Sequence, residues 1–246
     1  MKADVVLIAD YGRSGQGWLS YMLCYILNAS YIEPYLVLGG EAFSNDERVR
    51  NLVNGRLPGR EQTRYSLVIK THNYPSPKHD LTDKIVLLVR DPRDVSVGMF
   101  YLNQRRIREG NPASLKIRIA QNIQRSRILN LLFVCRMWAK YFHAWKAIPH
   151  HLVRYEDLSR DPAGVLRGIL DYLEVDAPQS LIEESVSQFT FERMSGRQKG
   201  AEDNANFDFR KGIVGDHKNA YSPFQLHLCS RLFRDRILPA GYDLDR

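Results

Sequence analysis

The feature that most narrows the fold is an apolar run that ends in a glycine-bearing turn and passes straight into a helical pattern. Val5 to Ala9 is apolar at every position. That is the signature of a strand buried on both faces, and the predicted strand spans Lys2–Ala9. Tyr11-Gly12-Arg13-Ser14-Gly15-Gln16-Gly17-Trp18 follows, and from Trp18 to Leu27 the apolar residues recur at helical spacing. Three glycines let the main chain fold tightly and turn its N–H groups toward a ligand. The helix start adds a positive dipole end and Arg13 a full charge, so the turn reads as a phosphate cradle. The bland alternative is a tight turn and nothing more. No Gly-Lys-Ser/Thr follows the glycines, so no hydroxyl is placed for Mg²⁺ as in the loops of nucleoside-triphosphate hydrolases.

Further strands are predicted at Tyr65–Thr71, Lys84–Arg90 and His151–Arg154. The Lys84–Arg90 strand leads into Asp91-Pro92, with Asp91 a plausible N-cap, and Asp161-Pro162 opens another helix to about Leu173. Ser114–Ala147 reads as one or two helices, with Trp138, Phe142 and Trp145 on one core-facing side. Strands alternating with helices predict an α/β fold in which a central parallel sheet is covered on both faces. Gly39–Arg64 has no clear period. Ser195–Phe209 is polar and reads as a loop that orders with ligand. No repeat or linker interrupts the pattern, so 1–246 is predicted to be a single domain.

Composition bounds the partners. Thirty-five Lys and Arg against twenty-eight Asp and Glu leave a net charge of +7, which favours an anionic partner or else marks a solvated basic surface. The sequence holds no apolar stretch of about eighteen residues and no signal-peptide pattern, so a cytoplasmic location is expected. Cys24, Cys135 and Cys229 are too few and scattered for a disulfide framework or a zinc site, and each sits in a helix-like apolar context. No carboxylate or histidine cluster has ligand spacing, so no metal is expected.

Three more elements carry chemistry. Lys70-Thr71-His72 closes the second long strand. At the carboxyl edge of a parallel sheet, His72 could act as a general base and Lys70 could stabilise a leaving group; by itself this tripeptide reads more simply as a surface histidine. Arg90-Asp91-Pro92-Arg93-Asp94-Val95-Ser96-Val97-Gly98 repeats the strand-to-helix anion site, with Arg93 and Asp94 readable as a surface ion pair. Arg210-Lys211-Gly212 and Gly215-Asp216-His217-Lys218-Asn219 suit a phosphate clamp or a solvated charge run.

With Tyr155-Glu156-Asp157-Leu158, these elements resemble, in order and wording, the sulfotransferases that use 3′-phosphoadenosine 5′-phosphosulfate (PAPS). The family's first loop is commonly Tyr-Pro-Lys-Ser-Gly-Thr-Thr-Trp; its Lys-Thr-His, Arg-Asp-Pro-Arg-Asp-Val, Tyr-Glu-Asp-Leu and Arg-Lys-Gly-x-x-Gly-Asp-x-Lys-Asn are all present here. The match is weakest over residues 30–64 and 100–135. The resemblance implies a P-loop-kinase-like sulfotransferase fold, with PAPS as sulfuryl donor and the bisphosphate PAP as product. It also implies roles. Arg13 and the backbone of Ser14, Gly15, Gln16, Gly17 and Trp18 would hold the 5′-phosphosulfate. Trp18 and Phe191 would sandwich the adenine and Tyr155 would contact it. Arg90, Arg210, Lys211 and Gly212 would hold the 3′-phosphate, and His72 would be the base, with Lys70 beside the sulfuryl group. The chain departs from the family at Arg13 (usually lysine), Gln16-Gly17 (two threonines), Gly98 (serine) and His217 (often tryptophan), and it lacks the animal dimerisation motif.

Two rivals stand beside this reading. A nucleotide kinase or other P-loop phosphotransferase would share the sheet and loop, but the missing Gly-Lys-Ser/Thr opposes it. A non-catalytic binder of nucleic acid or anionic membrane would use Arg105 to Arg127, where cations alternate with Leu115, Ile119 and Ile123. The preferred partner is a small-molecule, carbohydrate or lipid acceptor and not nucleic acid, with peripheral membrane contact and oligomeric state left open. Acceptor choice is assigned to the loops Leu38–Arg64, the stretch after His72, and Phe100–Arg118.

Overall fold

A computed structural model describes residues 4–32, 61, 63–76, 84–108, 126–201 and 210–245. Most of Gly39–Arg64, residues 202–209 of the expected ligand-ordered loop, 109–125 of the basic stretch and most of the expected acceptor loops lie outside them. The chain groups into two compact units: Met1–Val89 with Ala144–Gly196, and Arg90–His143 with Arg197–Arg246.

The first unit holds the sheet. Its strands are β1 (Asp4–Ala9), β2 (Ser30–Ile32), β3 (Tyr65–Thr71), β4 (Lys84–Val89) and β5 (His151–Arg154). All pair in parallel in the order β2-β3-β1-β4-β5. The α/β class with a central parallel sheet stands as the sequence predicts. β2 has no counterpart among the predicted strands, because three residues are too few to show a period. Along β1, Val6 and Ile8 face one way and Val5, Leu7 and Ala9 the other, and all five are buried. This is why the strand reads apolar throughout.

Helix α1 (Gln16–Leu27) returns across the sheet, and Leu19, Met22, Leu23 and Leu27 are each wholly excluded from water. Each such side chain contributes roughly 1.5–3 kcal/mol. The core joins Val6, Ile8, Val68, Val86 and Leu88 of the sheet to α1 and to later helices. Leu166, Ile169, Leu170 and Leu173 come from one of these, Ile182 from another. In chain order, counting the helices of both units, α2 is Pro92–Arg108, α3 Arg127–Lys146, α4 Tyr155–Arg160, α5 Pro162–Leu173, α6 Gln179–Gln188 and α7 Phe191–Ser195. The α5 start is as the sequence predicts: Asp161 accepts from the Gly164 N–H at 2.9 Å and Pro162 takes the first turn.

The second unit packs α2 and most of α3 with α8 (His217–Ala220) and α9 (Pro223–Ile237). Ser222 and Gln225 form a reciprocal capping box at the α9 start. Trp138 stacks on Phe142 at 5.5 Å and meets Tyr242 edge-on. The three cysteines are buried core residues, as expected, but Cys135 and Cys229 lie 3.4 Å apart, which their separation in sequence does not show. No helix among the described residues is long and apolar enough to cross a membrane.

Candidate functional site

Each unit carries its own cluster of polar groups. In the first unit, β1, β3 and β4 run in parallel, with Ala9 registered against Thr71 and Leu87, so the residues that follow β1 and β3 emerge at one edge. The turn after β1 needs its glycines. Gly12, Arg13 and Gly15 have φ of 105°, 58° and 89°, a run of left-handed backbone that Arg13 tolerates only at some cost. A Cβ on Gly15 would come within 2.7–2.8 Å of the Tyr155 ring, so that position admits glycine alone. Gly15 also caps α1 without any side-chain hydrogen bond, leaving the first helical N–H groups to meet an anion. Such a cradle could hold a phosphate-like anion.

The side chain of Gln16, predicted to contribute only its backbone, turns back beneath the loop. Its Nε2 donates to the carbonyls of Ile8 and Thr71, pinning the ends of β1 and β3 together. Buried Ser14 donates to the Gly12 carbonyl at 3.3 Å. Trp18 stands edge-on to Tyr155 with ring centres 6.4 Å apart. Phe191, nearly buried, begins α7 behind the N-cap Thr190, whose hydroxyl accepts from the Arg193 N–H.

His72 follows β3, and its partner is one the sequence reading missed. Its Nδ1 lies 2.6 Å from Oδ1 of Asp10, a carboxylate with no exposed surface. Burial works to lower the imidazole pKa, the Asp10 carboxylate raises it, and Lys70 lowers it; the net direction is upward. The ring is 38% exposed, and among the described residues nothing bonds its Nε2. A histidine held at Nδ1 with Nε2 open can exchange a proton with a bound hydroxyl. Lys70 lies on β3, registered with Ile8.

In the second unit the two later sequence elements lock together. Asp91 is the N-cap predicted for α2, accepting from the Arg93 N–H at 2.8 Å. The ion pair expected of Arg93 and Asp94 is not formed. Arg93 is buried, chelates the Asp91 carboxylate and donates to the Leu244 carbonyl. Asp94 instead accepts from the Gly215 N–H at 2.7 Å, the His217 N–H at 2.9 Å and His217 Nδ1 at 2.8 Å. Burial acts to raise its pKa, but the hydrogen bonds from His217 and the charge of Arg90 win, and it falls to about 2. His217 therefore has a structural job, holding the loop before α8 against Asp94.

The cations of this unit converge on the same loop. Arg90 donates to the Ile213 carbonyl at 2.8 Å and lies 3.5 Å from Asp94. Arg210 pairs with Asp216 and sits 4.8 Å over the Tyr101 ring, and Lys211 approaches Asp216 at 3.5 Å. Gly212 takes φ 66°, and the Gly200 N–H closes the loop onto the Lys211 carbonyl. Ser96 is fully buried, donating to the Arg93 carbonyl at 2.6 Å and lying 2.8 Å from the Tyr221 hydroxyl. Gly98 is half-buried in α2. Among the described residues no group of three or more His, Cys, Asp or Glu could hold a metal ion.

The chain is similar to known proteins along nearly its whole length. The family model described as the sulfotransferase domain matches residues 3–237. The 3-alpha-hydroxysteroid sulfotransferase of Cavia porcellus is 24% identical over 266 residues, covering 98% of this chain and 86% of the relative. Sulfotransferase 2A1 of Mus musculus is 24% identical over 273 residues, with the same coverage. Among solved structures, mouse sulfotransferase SULT7A1 complexed with PAP matches with a TM-score of 0.65 at 20% identity, covering 96% of this chain and 84% of that one. Retinol dehydratase in complex with androsterone and PAP matches with a TM-score of 0.59 at 16% identity, covering 96% and 81%. By sequence along nearly its whole length, and by overall fold, the chain is an enzyme of the sulfotransferase family.

Proposed function

We propose that this enzyme transfers the sulfuryl group of PAPS to the hydroxyl of a small molecule. PAPS supplies an activated sulfuryl group on a 5′-phosphate leaving group. In the first unit, the uncapped start of α1 and Arg13 would take the 5′-phosphosulfate, and Trp18, Tyr155 and Phe191 the adenine. The family resemblance assigns the 3′-phosphate to Arg90, Arg210, Lys211 and Gly212. His72 would remove the acceptor's proton, while Arg13 and Lys70 meet the charge that grows on the departing oxygen. Positioning and fixed charge would provide most of the rate, as in phosphoryl transfer.

The observation that carries the reading is the open Nε2 of His72 at the same sheet edge as the glycine-built, uncapped α1 start. A small-molecule acceptor is favoured because the relatives include proteins named as steroid sulfotransferases. Carbohydrate and lipid hydroxyls are the alternatives the acceptor assay must include. The donor assignment is tested by calorimetry. PAP should bind much more tightly than ADP, which lacks the 3′-phosphate, and Arg210→Ala should erase that preference. Equal affinity for the two nucleotides would refute it.

A further inference from the structure

Asp10 follows β1 directly and lies one residue before the loop motif that begins at Tyr11. Its main-chain N–H bonds the Thr71 carbonyl at 3.1 Å, extending the β1–β3 ladder past the strand ends. This fixes Asp10 and His72 side by side. The Asp10 side chain has no exposed surface, and among the described residues neither of its oxygens receives a hydrogen bond of good geometry; His72 Nδ1, 2.6 Å from Oδ1, is the charged group set against it. A buried carboxylate with so little support is costly unless a cation or donor answers it, and His72 Nδ1 is the group that does.

We propose that Asp10 is a positioning residue that orients His72 and fixes its tautomer for sulfuryl transfer. An ionised carboxylate only accepts hydrogen bonds, so Nδ1 must carry the proton and neutral His72 presents its lone pair at Nε2. Nδ1 also lies 3.2 Å from the Asp10 main-chain carbonyl, a second acceptor that enforces the same tautomer. On the reading of this chain as a PAPS-dependent enzyme, Nε2 takes the proton of the acceptor hydroxyl as its oxygen bonds to sulfur. The bond from sulfur to the bridging oxygen breaks, and its electron pair leaves with the bisphosphate. The imidazolium so formed is then stabilised by Asp10, as in other histidine–carboxylate pairs.

Among the described residues, the charged groups acting on His72 are Asp10 from the end of β1 and Lys70 from β3, which act in opposite directions. With Asp10 the stronger, His72 must shed a proton at higher pH than an isolated histidine before it can serve as base. Removing the charge should therefore move the rising limb of the kcat–pH profile to lower pH while lowering its plateau.

The deciding measurement is an NMR titration of the His72 ring in nucleotide-free protein, comparing wild type with Asp10→Asn and Asp10→Glu. Asp10→Asn should titrate at lower pH than wild type, and Asp10→Glu, which keeps the charge, should recover part of the difference. An unchanged titration in Asp10→Asn, or Asp10→Glu titrating like Asp10→Asn, would overturn the coupling. In turnover, Asp10→Asn should lower kcat about tenfold or more, leave KM for PAPS nearly unchanged and move the rising limb. Added to His72→Ala, the same substitution should be silent. A normal kcat and profile in Asp10→Asn, or a further large loss on the His72→Ala background, would overturn the positioning role. Absence of any sulfuryl transfer by wild type would refute the proposed function instead, and the titration would still decide whether the pair is coupled.

Discussion

Replacing Asp94 by asparagine keeps its shape and removes its charge, and the structure sets the size of the effect. The carboxylate has no exposed surface and receives three hydrogen bonds from Gly215 and His217 at 2.7–2.9 Å, with Arg90 at 3.5 Å. Its pKa falls from the ordinary 3.8 to about 2. A tenfold change in proton affinity is worth about 1.4 kcal/mol, so ionised Asp94 contributes about 2 kcal/mol to folding. The sign follows from the direction: a depressed folded pKa gives stability that is complete above the unfolded value and is lost as pH falls from about 4 toward 2. Urea unfolding at pH 7 should therefore place Asp94→Asn about 2 kcal/mol below wild type, and the gap should narrow as the pH is lowered through that window. The same change frees the Gly215–His217 loop that follows Arg210 and Lys211, so PAP affinity should fall as well. A gap that does not depend on pH, or stability equal to wild type at pH 7, would refute the assignment of Asp94 as a charged tether.

His72→Ala should reduce kcat by about 10² or more while calorimetry finds PAP affinity nearly unchanged; turnover like wild type would remove His72 as base. Gly15→Ala places a Cβ against the Tyr155 ring on a backbone at φ 89°, and should weaken PAP binding at least about tenfold; normal affinity would mean the loop is not held by that contact. Gly98→Ser should tighten PAP binding, since a hydroxyl donated to a charged phosphate is worth roughly 1.5–3 kcal/mol. Ser96→Ala should cost about 1 kcal/mol of stability through the Arg93 carbonyl and Tyr221 and leave PAP affinity alone. Weaker binding in the first or a large affinity loss in the second would show a different 3′-phosphate arrangement.

What the sequence disclosed was whatever one local pattern encodes. Buried strands announce themselves as apolar runs, and the Asp161-Pro162 cap is a short-range signal, so β1, β3, β4 and α5 were legible nearly to the residue. The loop glycines were legible because left-handed backbone has few residues to choose from. β2 was not, being too short for any period, nor was the six-residue α4 that begins at Tyr155. Partnerships across the chain were also hidden. Asp10 and His72 are sixty-two positions apart and meet only because β1 and β3 are neighbours in the sheet. Arg93 and Asp94, adjacent and opposite in charge, suggest a pair, yet neighbours on a helix point in different directions and each found another partner. The same holds for Gln16, whose amide supports strand ends that are fifty-five and eight residues away.

The central claim is that a hydroxyl receives the sulfuryl group of PAPS at His72. Incubating the protein with PAPS labelled with radioactive sulfur, and with panels of small alcohols and phenols, sugars and glycolipids, tests it most directly. The account predicts label in at least one hydroxyl-bearing acceptor, favouring the small molecules, with release of PAP in equal amount and loss of both in His72→Ala. Label in no acceptor from a protein that binds PAP no better than ADP, or transfer undiminished in His72→Ala, would contradict it.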